Sequence, residues 1–443
     1  MRTTLQNGHL LRILGLAFGL AVVVGGVVGQ GILRTPGIVA GAVPDPTFIL
    51  LLWTLGGLLI MIDACSLVEL GASIPRAGGP YALARRAFGH VGGTVVGWAD
   101  WINNMLVVSF LSVVFGEYCQ RLGIGAEWPI WILSLGLIAA CWIINWTGTR
   151  ISGSSQTILS ALKGAALVAL VLAFFLIAPT EAPSVAPPSS IMLSPTIAFG
   201  ALLIAMTNII NTYAGWTSTV YFGEEMVAPE RNVARATFGG ILLVMALYLA
   251  VNAALLHVLS PAEMATSKLP AADAASRVLG PMGERLITIA SLVSIGAIAN
   301  LYMMLNSRIA FAMARDGILP RRLATTSLSG TPRYALAVSA VVAAVAAASG
   351  TYEEIITTTV PLTVAIVASL NLAAIVIRRK EPDLPRPFKM PLFPLPALAG
   401  LMLNTTLLVA MVIGDPQRSA IGIGAAAILG LGYAVIRKKS AGR

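Results

Sequence analysis

Twelve apolar stretches follow one another along this chain, and no segment between them is long enough to fold as a separate soluble domain. A membrane-spanning helix needs about 20 mainly apolar residues. By that measure the spans fall at 12–41, 47–73, 92–120, 128–147, 155–178, 196–225, 236–259, 284–313, 333–349, 354–377, 393–413 and 418–437. The longest polar segments are Ser260–Gly283 and the Pro-rich Ala178–Ser194. Only 11% of the 443 residues are charged, 57% are hydrophobic, and the mean hydropathy is +0.85. Soluble domains carry about 25% charged residues, so the chain reads as one all-α membrane domain, 1–443. The first run continues without a cleavage site into Ile32–Ala40, which makes it a retained helix.

The net charge of +10 is distributed in short loops, not along a basic face. That excludes nucleic acid as a partner and leaves the lipid bilayer. If the N-terminus is cytoplasmic, 22 of the 29 Lys and Arg residues fall inside, 6 fall outside, and Lys163 lies within the fifth span. This asymmetry predicts an even number of helices, with both termini cytoplasmic.

Two of the spans are interrupted. The first contains Gly25-Gly26-Val27-Val28-Gly29-Gln30-Gly31, and the sixth contains Asn211-Thr212-Tyr213-Ala214-Gly215-Trp216. Unwound backbone at membrane depth survives only where it is buried or lines a cavity. Matched breaks in two halves of a chain point to a transporter's binding site. The N–H groups that open the second half-helix attract a carboxylate. The C=O groups that close the first attract an ammonium, so one break can hold both ends of a zwitterion. Glycines that only allow close helix packing are the alternative for either break taken alone.

Four stretches carry a resemblance. They are Gly29-Gln30-Gly31-Ile32, Pro75-Arg76-Ala77-Gly78-Gly79-Pro80-Tyr81, Tyr213-Ala214-Gly215-Trp216 with Glu224-Glu225-Met226-Val227-Ala228-Pro229-Glu230-Arg231, and Ser307-Arg308 through Ala314-Arg315-Asp316-Gly317-Ile318-Leu319-Pro320. In this order they resemble the amino acid–polyamine–organocation superfamily, closest to its bacterial and light-chain-like amino acid transporters. The resemblance implies twelve transmembrane helices with a five-plus-five inverted repeat, 12–178 and 196–377, and two peripheral helices over 393–437. It implies alternating access. Substrate carboxylate would meet the backbone at Gly29, Gln30 and Gly31. The amino group would meet carbonyls near Val27 or Val28 and near Asn211, Ala214 and Gly215. Trp216 and Tyr302 are expected to gate or wall the pocket. The chain departs from the pattern at Gln30, Arg34, Asn211, Ala228 and Ala234, which leaves the exact substrate open.

Charges within the spans are costly and mark function by default. Lys163, counted as eight residues into the fifth span, either snorkels to the interface or stands as a fixed cation where sodium-coupled relatives of this fold bind an ion. Proton coupling is a third role open to a buried lysine. Asp63 and Asp100 lie at similar depth, and either could neutralise Lys163. Glu224 and Glu225 could pair with arginines of the loop after helix two or eight as an inner gate, or form a solvated cluster. Asn208, Asn300 and Asn306 line a pathway or bond helix to helix.

No catalytic, cofactor or metal motif appears, and Cys65, Cys119 and Cys141 have no ligand spacing. The expected function is secondary active, sodium-independent transport of small neutral amino acids across the plasma membrane by exchange, uniport or proton symport. The alternatives are an amine or polyamine carrier, which should offer carboxylates in its pocket, and a sensor that binds amino acids without moving them. The sequence leaves open whether an accessory subunit takes part.

Overall fold

The computed structural model describes residues 9–177, 195–349 and 352–414, with isolated positions 416, 424, 428, 432 and 433. The loop 178–194 and most of the twelfth expected span, 418–437, lie outside the described residues. Among the described residues no strand forms; one isolated bridge joins Leu14 to Met226. Eight helices are long and apolar enough to cross a membrane.

The first interrupted span is α1 (Leu16–Val27) and α2 (Gly31–Ala42), which meet at 47° and together make a ninth span. The helices α3 (Pro46–Ser73), α4 (Pro80–Arg121), α5 (Ile130–Thr147) and α6 (Thr149–Ile177) follow. The 42 residues of α4 exceed one span, and the excess is resolved at Gly89, whose φ of 75° separates a short helix at its start from the membrane-length part. The expected boundary at 92 falls just beyond that kink.

The second interrupted span is α7 (Pro195–Thr212), followed by a 3₁₀ helix over Trp216–Phe222. Where a second α-helical half was expected, the chain winds more tightly for seven residues. Next come α8 (Pro229–Val258), the short α9 (Pro261–Thr266) and α10 (Pro270–Leu279), and α11 (Pro281–Arg315). Sequence analysis treats 260–283 as polar loop, but it forms two short helices, α9 burying Met264 and α10 burying Ala271, Ala272, Ala274 and Ala275. The set closes with α12 (Arg333–Ser349), α13 (Tyr352–Lys380) and α14 (Leu395–Gly414).

Around the breaks, α1 packs on α6 and α8, and α2 packs on α7 and α9. Helix α4 packs on α11 and α13, while α14 lies against α13 and α3. One core of buried aliphatic and aromatic side chains, including Trp53, Tyr213 and Tyr248, runs through these contacts. Outward-facing leucines, isoleucines and valines such as Leu51, Leu162, Leu172 and Val345 stay exposed. In water such a surface would be prohibitive; in lipid it is the ordinary outer face.

Candidate binding site at the two breaks

The two breaks face each other at van der Waals distance. A Cβ placed on Gly26 would lie 2.7 Å from the carbonyl oxygen of Gly215, and one on Gly215 would lie 2.6 Å from the carbonyl carbon of Gly26. Gly215 also sits at φ +107°, a left-handed conformation that side chains resist. Glycine is required there on both grounds.

Side chains from neighbouring helices tie the freed backbone down. The Tyr248 hydroxyl lies 2.9 Å from the Val27 carbonyl oxygen and 3.2 Å from that of Thr212, so one residue on α8 reaches both breaks. The Thr35 and Thr212 hydroxyls are 2.8 Å apart and link α2 to α7. Lys163 donates from Nζ to the Gly25 carbonyl and, at 2.6 Å, to the Val28 carbonyl, which also receives the Ser294 hydroxyl at 3.1 Å.

These contacts correct two expectations. The Val28 carbonyl already has two donors, so its lone pairs are filled and it has none left for a substrate ammonium. Val28 is 1% exposed and does not line the cavity, whereas Val27, Gly29, Gln30 and Gly31 do. Lys163 makes no ion pair among the described residues: its partners are carbonyls at the end of α1, not Asp63 or Asp100. Helix α6 begins at Thr149, earlier than expected, which puts Lys163 near the middle of its 29 residues. At 2% exposure it does not snorkel to an interface.

The cavity beside the breaks has a volume of about 910 Å³. Its wall includes Gly29, Gln30 and Gly31 from the first break, and Asn211, Ala214, Gly215 and Trp216 from the second. Tyr302 of α11 and Asn208 of α7 also line it. The first N–H groups of α2 have no partner within their own helix, and the Gln30 Nε2 is buried without a hydrogen-bond partner. The site therefore offers unspent donors at the first break. Arg34, Arg121 and Lys268 line the cavity as well.

Asp63 and Asp100 line the same cavity, which sequence analysis did not anticipate. Asp63 accepts from Asn371 of α13 at 2.6 Å and from Asn404 of α14 at 3.0 Å. Helix α14, expected to be peripheral, thus contributes Asn404 and Leu407 to the wall. Asp100 accepts from Tyr221 at 2.7 Å and from Asn104 at 2.8 Å, both on Oδ1. Asn300 bonds to Asn145 and Gln156, an inter-helix role and not a pathway one. Asn306 is buried with neither side-chain atom partnered.

Away from the cavity, the segment after the 3₁₀ helix is locked. Arg308 is 1% exposed and donates from Nε and Nη2 to the two oxygens of Glu225, each at 2.9 Å. Glu224 pairs with Arg315 at 2.9 Å and accepts from the Ala77 N–H. Both arginines belong to α11 itself, not to the loop after it. Asp316 completes the cluster, pairing with Arg85 at 3.0 Å and accepting from the Tyr81 hydroxyl at 2.9 Å. The Leu14 N–H donates to the Glu225 carbonyl, which joins the start of the first span to the same lock. Arg308 and Asp316 were quoted in a motif but given no role. The signal available was that α11 carries an arginine deep in an apolar run.

A bundle of spanning helices, two of them broken, with a cavity at the breaks and a cluster of ion pairs after the second break, is the architecture of a multi-pass membrane transporter. The sequence profile of the amino acid permease family matches residues 14–433, and the chain belongs to that family, within the amino acid–polyamine–organocation superfamily. It is 31% identical over 318 residues to the serine/threonine exchanger SteT of Bacillus subtilis (strain 168), covering 71% of each chain. It is 27% identical to the b(0,+)-type amino acid transporter 1 of Mus musculus, covering 94% of this chain and 85% of that one. It is 28% identical to the Asc-type amino acid transporter 1 of Homo sapiens, covering 93% and 79%. The chain is an amino acid transporter and not an enzyme.

Proposed function

We propose that this transporter carries small neutral amino acids across the cell membrane by sodium-independent exchange. The observation that carries the reading is the pairing of two breaks around one cavity, with free donors at Gly29, Gln30 and Gly31 on one side and, on the other, the Ala214 carbonyl together with those of Asn211 and Gly215, which each carry one donor and keep a second lone pair. A zwitterion places its carboxylate on the first and its ammonium on the second. Exchange is the mode named for the Bacillus subtilis relative.

Lys163 supports sodium independence. Its ammonium occupies the carbonyl end of α1, where a coupling cation would otherwise be held by the same oxygens. It supplies a positive charge of the protein's own in place of a bound one.

The charge asymmetry supports cytoplasmic termini. In that orientation Arg34, Arg121 and Lys268 lie at the outer mouth of the cavity, and the Glu225–Arg308 and Glu224–Arg315 pairs close the inner end. Alternating access then breaks those pairs as the broken helices tilt, within inverted repeats 12–178 and 196–377, with α14 contributing Asn404 and Leu407 to the cavity wall.

A carrier of amines is the second reading, favoured by the Asp63 and Asp100 carboxylates in the cavity wall. Uptake of radiolabelled amino acids and amines into proteoliposomes, in sodium or choline buffer and with or without internal substrate, separates the readings. Saturable amino acid uptake that is unchanged in choline and needs internal substrate is the expected result. Uptake of an amine without a carboxylate would favour the second reading. Binding without flux would make the protein a sensor.

A further inference from the structure

Asp100 stands out among the cavity's groups because half of its carboxylate is unused. The residue is 1% exposed and sits on α4, where Trp98, Ala99 and Trp101 surround it in sequence. Its Oδ1 receives both the Tyr221 hydroxyl and the Asn104 amide, while its Oδ2 is buried with no partner at all. Asp63, the other carboxylate in the wall, has a donor on each oxygen.

A buried acceptor without a donor costs about 1–3 kcal/mol, more when it is charged. Most buried polar atoms in a folded protein find a partner in protein, water, an ion or a ligand, and Asp100 Oδ2 is the one carboxylate oxygen among the described buried atoms that has none from the protein. The cavity is also larger than the backbone of an amino acid requires. At about 910 Å³ it has room for a side chain as well, and Asp100 lines it together with Asn103 and Tyr302.

We propose that Asp100 is a specificity-determining residue that receives an N–H or O–H donor at the end of the substrate's side chain. This rests on the transport reading above and adds the class of side chain to it. The zwitterion sits on the two breaks, and Oδ2 of Asp100 accepts from the side chain. Tyr221 and Asn104 position the carboxylate by occupying its other oxygen. A substrate of the same shape without the donor leaves the buried Oδ2 unpaired, and is rejected for that reason.

The test compares substrates matched in shape. Uptake by the full chain in proteoliposomes is measured for threonine against valine and for lysine against norleucine, the two pairs separating a hydroxyl from an ammonium donor. The donor member of at least one pair should be preferred by about tenfold or more in uptake efficiency. In Asp100→Asn the amide oxygen is taken by Tyr221 and Asn104, leaving an NH₂ toward the substrate. That preference should then fall to about one or reverse, while a purely structural role would lower both members alike. Tyr221→Phe keeps the carboxylate but removes one of the two groups that position it, so it should weaken the preference without abolishing it, and it reads the proposal if Asp100→Asn does not insert. Uptake without discrimination in the wild type, or an unchanged ratio in Asp100→Asn, overturns the assignment. If no compound is carried, the transport reading fails separately. Thermal stabilisation of the detergent-solubilised protein by the same pairs then still measures the preference.

Discussion

Lys163 places its Nζ 2.6 Å from the carbonyl oxygen of Val28, so the cation at the middle of α6 is spent on the backbone of the first break. That contact joins a helix of regular geometry to the point where α1 loses its own hydrogen bonding. The break is thus a supported structure, with Lys163, Ser294 and Tyr248 each holding a carbonyl that α1 has released.

Replacing Lys163 by Met should therefore disable transport. The carbonyls of Gly25 and Val28 would lose their charged donor at a cost of about 2–3 kcal/mol. Uptake should fall at least about tenfold with the protein still present in the membrane. Lys163→Arg should not restore it fully, because a planar guanidinium does not fit the space of an ammonium. Proteoliposome uptake normalised to reconstituted protein measures this, and near-normal transport by Lys163→Met would remove the basis for a sodium substitute.

The Arg308–Glu225 pair gives a prediction about coupling. Arg308→Ala leaves a fully buried carboxylate without a partner and should destabilise the protein by about 3–5 kcal/mol. Removing both, as in Arg308→Ala with Glu225→Ala, should be less damaging than the single change. A double-mutant cycle on the melting temperature in detergent checks the sign of the interaction, and additive effects would mean that the pair does not hold the inner end.

Gly215→Ala should abolish transport. The new methyl would require φ +107° and would meet the backbone of Gly26 at 2.6 Å. Ala at Gly164, where a Cβ meets nothing within 4 Å, serves as the control and should leave uptake near normal.

Ala228 caps the start of α8 at φ 46°, ψ 57°, a left-handed conformation for a residue with a Cβ. Asn tolerates this region and is a good helix N-cap. Ala228→Asn should therefore stabilise the protein by about 1 kcal/mol. A raised melting temperature with unchanged substrate preference is the expected observation.

Glu263 gives a pH dependence outside the membrane. Hydrogen bonding from Arg277, and then from the Ser260 backbone N–H, holds its carboxyl down at about 2 from the usual 4.5. A carboxyl lowered by folding stabilises the folded state above its unfolded value. That contribution is present above about pH 4.5 and is lost as the pH falls toward 2. The pair is more than a third exposed, so water screens it and its worth stays below about 1 kcal/mol. Glu263→Gln should lower the melting temperature slightly at pH 7 and make no difference near pH 2.

What could be read before any coordinates were known follows from periodicities and costs that a single segment carries within itself. A run of twenty apolar residues has to be a lipid-facing or buried helix, and a glycine-rich interruption at membrane depth has to be buried or line a cavity. These local constraints located the spans as far as Gly414 and both breaks; the family resemblance then singled out Gly29, Gln30, Gly31, Asn211, Ala214 and Gly215 within them, and the cavity brings these together. They also marked Lys163, Asp63 and Asp100 as costly enough to have a purpose. Which group each of those charges meets was decided only in three dimensions. Lys163 turned to the carbonyls of α1, Asp63 to amides on α13 and α14, and Asp100 to a tyrosine 121 positions away in the chain. Partners so distant in sequence are set by helix rotation and crossing. These depend on the fit of whole helix faces against one another, and no single apolar run encodes them.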